Sequence, residues 1–348
     1  MKKLSMTLCL AILLPISSGC SRKPGEYKIA LVPDRAGQHG IFVMNSDLTG
    51  GKLLTNEPTA ELRTSSWSPD GRKIAFFAAL PQDSGMLEQF KMLSHFPLYL
   101  INASGGNAKR LLDFPVSDFR FSPDGSKLLC ISAYEDPARE KRAVYILDLQ
   151  TGNKRRVTDF GQNCYGSWSP DGSRLALSFG TAQASDLYIA DVDGKHTRRI
   201  GDSQAINIKP AWSPDGKQLA FISITAQPDG GMAAGAFSIN ADGTNRKRIA
   251  EGITAFEVAW SADGKFLLLE SAEGVTLASA DSSKTVGLAQ GSVQPKDAVF
   301  TPDGREVIFR SRHEGVWNLY AVDLNGSNIR RITGNLSPST YCLSPAAR

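Results

Sequence analysis

Six aspartates occupy one repeated setting: Asp70, Asp124, Asp171, Asp215, Asp263 and Asp303 each stand two residues after Ser or Thr and directly before Gly, in "SPDG", "SADG" or "TPDG". A carboxylate serves as acid, base or metal ligand only with a partner group in reach. Here the neighbours argue for turn chemistry instead. Pro holds φ near −65°, Asp bonds nearby backbone, and Gly takes the left-handed conformation that other residues resist. His39, His95 and His313 fall in connections on one face, but no His-x-His or His-Glu-x-x-His spacing joins them, so surface imidazoles are expected. Asp191-x-Asp193-Gly194 and Asp323-x-Asn325-Gly326 open like a calcium loop and lack the glutamate at its twelfth position, so they read as hairpin turns. No catalytic residue, metal or cofactor is assigned.

The elements around each aspartate recur as well. An aromatic or apolar residue leads into the motif, and "KIAF", "KLLC", "RLAL", "QLAF", "FLLL" or "EVIF" follows within a few residues. This is strand A, a type I turn closed by a bulge, and strand B. Stretches such as "LYIADVDGKHTRRIG" then supply strands C and D. The aspartates lie 54, 47, 44, 48 and 40 residues apart, and four strands at that period are the signature of β-propeller blades. Before the first motif, "YKIALVPD", "GIFVMNSDLTG" and "GKLLTN" read as B, C and D without an A. After the last, "STYCLSP" reads as an A alone. The expectation is an all-β, seven-bladed propeller of four-stranded blades over residues 27–345, closed by strands from both termini, with 27–57 plus 339–345 forming the shared blade. The alternative is six blades with one terminal segment outside the ring.

Strand A lines the channel of a propeller, and four residues before each motif's Ser or Thr stand Thr64, Asp118, Tyr165, Lys209, Glu257 and Asp297, with Thr340 at the matching place in the tail. Side chains alternate along a strand, so these seven are expected to share one level at the mouth opposite the Pro-Asp-Gly turns, as a ring for a ligand or partner. The unit after Asp70 is lengthened by Leu80 to Pro97, where Met86, Leu87, Phe90 and Leu93 recur at helical spacing. They predict a short amphipathic helix on the mouth face, packed on its blade or offered to a partner. The basic pairs Lys109-Arg110, Arg155-Arg156, Arg198-Arg199, Lys247-Arg248 and Arg330-Arg331 fall in strand D, where charge discourages edge pairing. Attraction to anionic envelope polymers or headgroups is their functional alternative. Cys130, Cys164 and Cys342 read as buried free thiols, an odd number that cannot all pair internally.

The chain opens "MKKLSMTLCLAILLPISSGC", two lysines, an apolar run and small residues, which is an export signal too short to span a bilayer. "SSGC" resembles the lipobox of bacterial lipoproteins, departing from it at Ser17. The resemblance implies a signal over 1–19, acylation of Cys20, a lipidated tether over 20–26 and a membrane attachment through acyl chains. Loss of Lys2 and Lys3 would leave 37 bases against 35 acids, a balance that gives no support for a nucleic-acid binder.

"WSPDGRKIAF" with "LYIADVDG" resembles the TolB-like propeller repeat, over nearly all of the chain after Cys20. The family includes periplasmic proteins with an α/β domain before the propeller, and only a few residues separate Cys20 from the first strand here. Hydrolases that carry the same propeller need a Gly-x-Ser-x-Gly elbow, and none occurs. The resemblance implies a monomeric, lipid-anchored, extracytoplasmic scaffold, at the periplasmic face of the outer membrane if Ser21 directs sorting. It would bind an envelope protein or peptide at the mouth, in envelope maintenance or assembly. The alternative is a lyase or hydrolase acting on an extracytoplasmic polysaccharide at that mouth.

Overall fold

The Asp-Gly turns, five Pro-Asp-Gly and one Ala-Asp-Gly, are short-range chemistry, and all six form. In the first, Gly71 has φ 67° and its N–H donates to the Ser68 carbonyl at 2.9 Å. The Ser68 hydroxyl donates to Asp70 at 2.5 Å and accepts from the Lys73 N–H at 2.9 Å, while Arg72 N–H donates to the same carboxylate at 3.0 Å. The other five repeat this set from Ser122, Ser169, Ser213, Ser261 and Thr301. "SADSSK" (Ser279–Lys284) builds it once more between two outer strands, with Ser282 at φ 65° where the others place Gly.

The computed structural model describes residues 27–33, 40–55, 61–86, 95–135, 141–158, 161, 164–181, 183–201, 205–227, 229–290, 295–313, 316–333 and 338–343. The expected signal, Cys20 and the tether lie outside them. Among the described residues no helix is long and apolar enough to cross a membrane.

The described residues are all β apart from short helical turns. The first sheet runs β28 (Pro338–Leu343), β1 (Lys28–Pro33), β2 (Phe42–Asn45), β3 (Lys52–Leu53). The second holds β4 (Glu61–Trp67), β5 (Lys73–Ala79), β6 (Leu98–Asn102) and β7 (Lys109–Arg110), and the third β8 (Asp118–Phe121), β9 (Lys127–Ser132), β10 (Ala143–Asp148) and β11 (Lys154–Arg156). Next come β12 (Tyr165–Trp168), β13 (Arg174–Gly180), β14 (Ser185–Asp191), β15 (Thr197–Ile200), β16 (Ile206–Trp212), β17 (Gln218–Ala226), β18 (Met232–Asn240) and β19 (Lys247–Arg248) in one sheet. The last two contain β20 (Ala255–Trp260), β21 (Phe266–Ser271), β22 (Gly274–Ser279) and β23 (Thr285–Gln290), then β24 (Pro295–Phe300), β25 (Glu306–His313), β26 (Val316–Asp323) and β27 (Arg330–Arg331).

This topology corrects the expected count. Five sheets stand as separate four-stranded blades, not seven, and the alternative of six with a terminal segment outside does not describe it either. The other eight strands form one continuous sheet, joined by a parallel bridge between Ser185 of β14 and Ile206 of β16. A polar clasp makes the joint: the Ser185 hydroxyl donates to the Asn207 carbonyl at 2.8 Å, and the Asn207 amide donates to the Ser185 carbonyl at 3.1 Å. The terminal strands do pair, with Ile29 opposite Leu343 and Val32 opposite Thr340.

Apolar residues fill the spaces between successive sheets. Ala30, Val43 and Ile41 meet Trp67, Ile74 and Phe76 across one such space, and Ala176, Leu187 and Ile189 meet Trp212, Leu219 and Phe221 between the halves of the long sheet. Ile29, Leu31 and Met44 meet Ile308, Leu319 and Ala321 where the last sheet returns to the first. Each blade is thus held by burial on both faces, at about 25 cal/mol per Å² of apolar surface.

Candidate functional site

Five of the seven strands carrying the aligned positions are bulged close to those positions, which alternation alone did not foresee. Pairing skips Thr64 in β4, Lys209 and Pro210 in β16, Phe256 in β20, Asp297 and Ala298 in β24, and Ser339 in β28. Asp118 and Tyr165 instead begin regular pairing, opposite Ile131 and Ser178. A bulge re-aims side chains and leaves backbone groups unpaired, so the seven positions do not follow one simple alternation. Lys209 and Asp297 each have φ 55°, a left-handed backbone that costs a non-glycine residue about 1 kcal/mol.

Two ion pairs involve these positions, one between neighbouring sheets and one within the last sheet. Lys209 Nζ pairs with the Glu257 carboxylate and donates to the Phe256 carbonyl at 3.2 Å, tying β16 to β20. Asp297 pairs with Arg310 at 2.6 Å, and the Arg310 guanidinium lies 4.4 Å from the centre of the Trp317 ring. The Tyr341 hydroxyl of β28 lies 2.5 Å from the Asp297 carbonyl and 2.8 Å from the Ile308 carbonyl. Asp118 is engaged locally, by Arg120 at 2.7 Å and the Phe119 N–H at 2.8 Å. Tyr165 is half-buried. For Thr64 and Thr340 only the backbone is described.

Glu270 of β21 is the residue that sequence reasoning missed. It pairs across from Glu257, is 7% exposed, and accepts the Ala298 N–H at 3.1 Å. Burial pushes its carboxyl above the ordinary range, and the nearby Asp297 and Glu257 charges add to that against the Ala298 hydrogen bond. The available signal was a charge closing an otherwise apolar strand, "FLLLES", with "EVIFRSR" offering Arg310 in the same way. Two large apolar side chains are exposed on neighbouring elements of the chain, Phe256 at 42% on the bulge of β20 and Met232 at 58% at the start of β18.

The other candidates resolve differently. Asp124 and Asp171 are held down to about 2, first by the hydroxyl of their own turn serine. Their lone pairs belong to the turns. His95 is not a surface histidine: it is 2% exposed, and burial together with the Arg142 charge lowers it to about 4. His39 lies outside the described residues. Cys130, Cys164 and Cys342 are free thiols, Cys164 and Cys342 pushed up to about 12 by burial. Among the described residues no group of three or more His, Cys, Asp or Glu could hold a metal ion.

In the insertion, Met86 lies in a helical turn and is half-buried, while Leu87, Phe90 and Leu93 lie outside the described residues. What fixes its root is Asp83, fully buried, which accepts the Tyr99 hydroxyl at 2.8 Å and pairs with Arg110 at 3.1 Å.

Residues 86–337 match the family described as the TolB beta propeller domain. The Tol-Pal system protein TolB of Francisella tularensis subsp. mediasiatica is 31% identical over 231 residues, which are 63% of this chain and 51% of that protein. The chain spans about half the length of the curated relatives it matches. Among solved structures, TolB from Acinetobacter baumannii superposes with a TM-score of 0.56 at 16% identity, covering 92% of this chain and 67% of that one. Oligogalacturonate lyase from Vibrio parahaemolyticus gives 0.63 at 15% identity, covering 82% and 83%. At such identities the structural likenesses speak for the fold alone.

Proposed function

Because the chain belongs to the TolB beta propeller family, we propose that it is a protein-binding platform of the bacterial cell envelope, anchored through lipid at Cys20. The partner is an envelope protein or peptide received at the channel mouth by Asp118, Tyr165, Lys209, Glu257 and Asp297, with Thr64 and Thr340 completing the rim. Anchoring would raise its local concentration near other membrane-bound partners.

One observation carries this reading. The bulges in β4, β16, β20, β24 and β28 gather at the channel strands, where unpaired backbone and re-aimed polar side chains suit a passing peptide. The charges there are matched, Lys209 with Glu257 and Asp297 with Arg310, which favours a mixed polar and apolar partner over a polyanion. The polysaccharide-lyase alternative finds less support: His95 is buried, and each acid of these pairs already holds a base.

The test reverses charge on the rim. In crosslinking and pull-down from native membranes, D118K/E257K should lose the partners that the wild type recovers while keeping its melting temperature within a few degrees. Recovery of the same partners by both proteins would remove the mouth from consideration.

A further inference from the structure

At the strand ends remote from the Asp-Gly turns, one row of backbone pairing runs from sheet to sheet. Phe96, leading into β6, exchanges two hydrogen bonds of 2.9 Å with Val116 of the next sheet. The Ser132 hydroxyl donates to the Pro115 carbonyl at 2.6 Å, and Ser132 pairs with Ala143. Arg142 then exchanges bonds of 2.8 and 2.9 Å with Gly161, which leads into the long sheet. The row fixes the backbone of two basic side chains, His95 directly before Phe96 and Arg142 beyond Ala143.

Among the described residues these two side chains are left without partners. His95 is 2% exposed, and neither Nδ1 nor Nε2 makes a hydrogen bond. The Nε of Arg142 is likewise buried and unbonded, and no ion pair engages its guanidinium. Arg110, Arg156, Arg199 and Arg310 each hold an acid, so Arg142 stands apart. It is half-buried and gives the pair its side toward solvent. Its charge is felt in two directions: burial together with that charge lowers His95 to about 4, and against burial the same charge restrains the rise of the Cys164 thiol. His95 is therefore neutral near pH 7, with one N–H and one lone pair to offer. Native proteins satisfy buried groups of this kind, because each one left unmade carries its full desolvation penalty.

We propose that His95 and Arg142 form a recognition site for a carboxylate carried by a peptide partner. The guanidinium edge, Nε with one Nη, matches two carboxylate oxygens side by side, and the neutral imidazole adds a third donor. Charge selects the ligand class: one cation balances one carboxylate, whereas a phosphate group near pH 7 carries about 1.5 to 2 negative charges. A water molecule would fill the hydrogen bonds without neutralising Arg142. The site leads into β6 and β10, the third strands of two neighbouring blades, and so lies apart from the channel strands that carry Asp118, Lys209, Glu257 and Asp297. It would give a partner held at the mouth a second point of attachment. That the carboxylate belongs to a peptide rests on the function proposed above; the carboxylate chemistry does not.

Nuclear magnetic resonance of the full-length protein with isotope-labelled histidine reads four imidazoles, and the one missing from H95N is His95. Two blocked dipeptides serve as probes, Ac-Ala-Asp-NH2 with a side-chain carboxylate and Ac-Ala-Ala-OH with a terminal one, against Ac-Ala-Ala-NH2, which has neither. At least one acid should shift the His95 ring signals saturably while the exposed His196 stays fixed, and the tighter of the two names the source, acidic side chain or chain terminus. R142Q should weaken binding by about tenfold or more with the melting temperature within a few degrees of wild type. R142K keeps the charge without the flat edge and should fall between. No shift with either acid, an equal shift with the amide, tighter binding of inorganic phosphate, or an R142Q that binds like wild type overturns the proposal. The D118K/E257K pull-down reads other residues, so the two proposals fall separately.

Discussion

Glu270 is a carboxylate placed where ionisation is costly: it is buried, faces Glu257, and has Asp297 beyond it. Its folded-state proton affinity exceeds that of the unfolded chain, so the sign is opposite to that of the turn aspartates. The stability this proton contributes is fully present below the ordinary value of 4.5 and is lost as pH rises through the higher folded-state value. Glu270→Gln keeps an acceptor for the Ala298 N–H without a charge. It should melt higher than wild type at pH 7, by roughly 1–3 °C for a chain of this size. The difference should vanish near pH 4, where the wild type is itself protonated. Equal melting at both values would show that Glu270 is ionised at no cost. The turn aspartates Asp124 and Asp171 behave conversely, their contribution being lost only as pH falls toward about 2.

At the scale of elements, the two residues of a basic pair do different work. In three pairs the first reaches the carbonyls of the following C–D turn: Arg198 donates to Asp242 at 3.0 Å and Ala241 at 2.7 Å, Arg155 to Val192 and Asp193, and Lys247 to Ala280 at 3.1 Å, whereas Arg330 pairs with Glu306 of its own blade. The second is held within its own blade, as Arg110 is by Asp83, Arg156 by Glu135 at 2.8 Å and Arg199 by Asp186 at 2.9 Å. Protection of an edge is therefore joined to stapling between neighbours. Arg198→Ala should cost about 1 kcal/mol in denaturant unfolding, the lower end for charge-assisted bonds because the site is exposed. Arg198→Lys should recover part of it through one carbonyl, as Lys247 does. Strand, turn and strand were legible because Pro-Asp-Gly is local. The bulges were not, since Lys209 and Asp297 take positive φ without glycine to announce it. Nor was the joint between β14 and β16, which rests on Ser185 meeting Asn207 across 22 residues.

Across the whole molecule, β28 is the strand on which closure depends. It pairs with β1, and its side chains reach both adjacent sheets: Tyr341 to the Asp297 and Ile308 carbonyls, and Cys342 to the Ser65 hydroxyl at 3.2 Å. Six residues thus bridge the first blade, the second and the last. Truncation before Pro338 would bare the inner edge of β1 and leave the Ala30, Leu31 and Val32 backbone unpaired on that side. It would also unseat Tyr341 from the apolar cluster of Ile29, Leu31, Ile308 and Leu319. Uncovering one large side chain alone is worth about 1.5–3 kcal/mol, and the exposed edge is a template for aggregation. The truncated chain should therefore melt at least 5 °C lower and elute as large aggregates. A truncated protein that melts with the wild type and stays soluble would mean that the apolar interfaces between sheets hold the ring closed without the terminal strand.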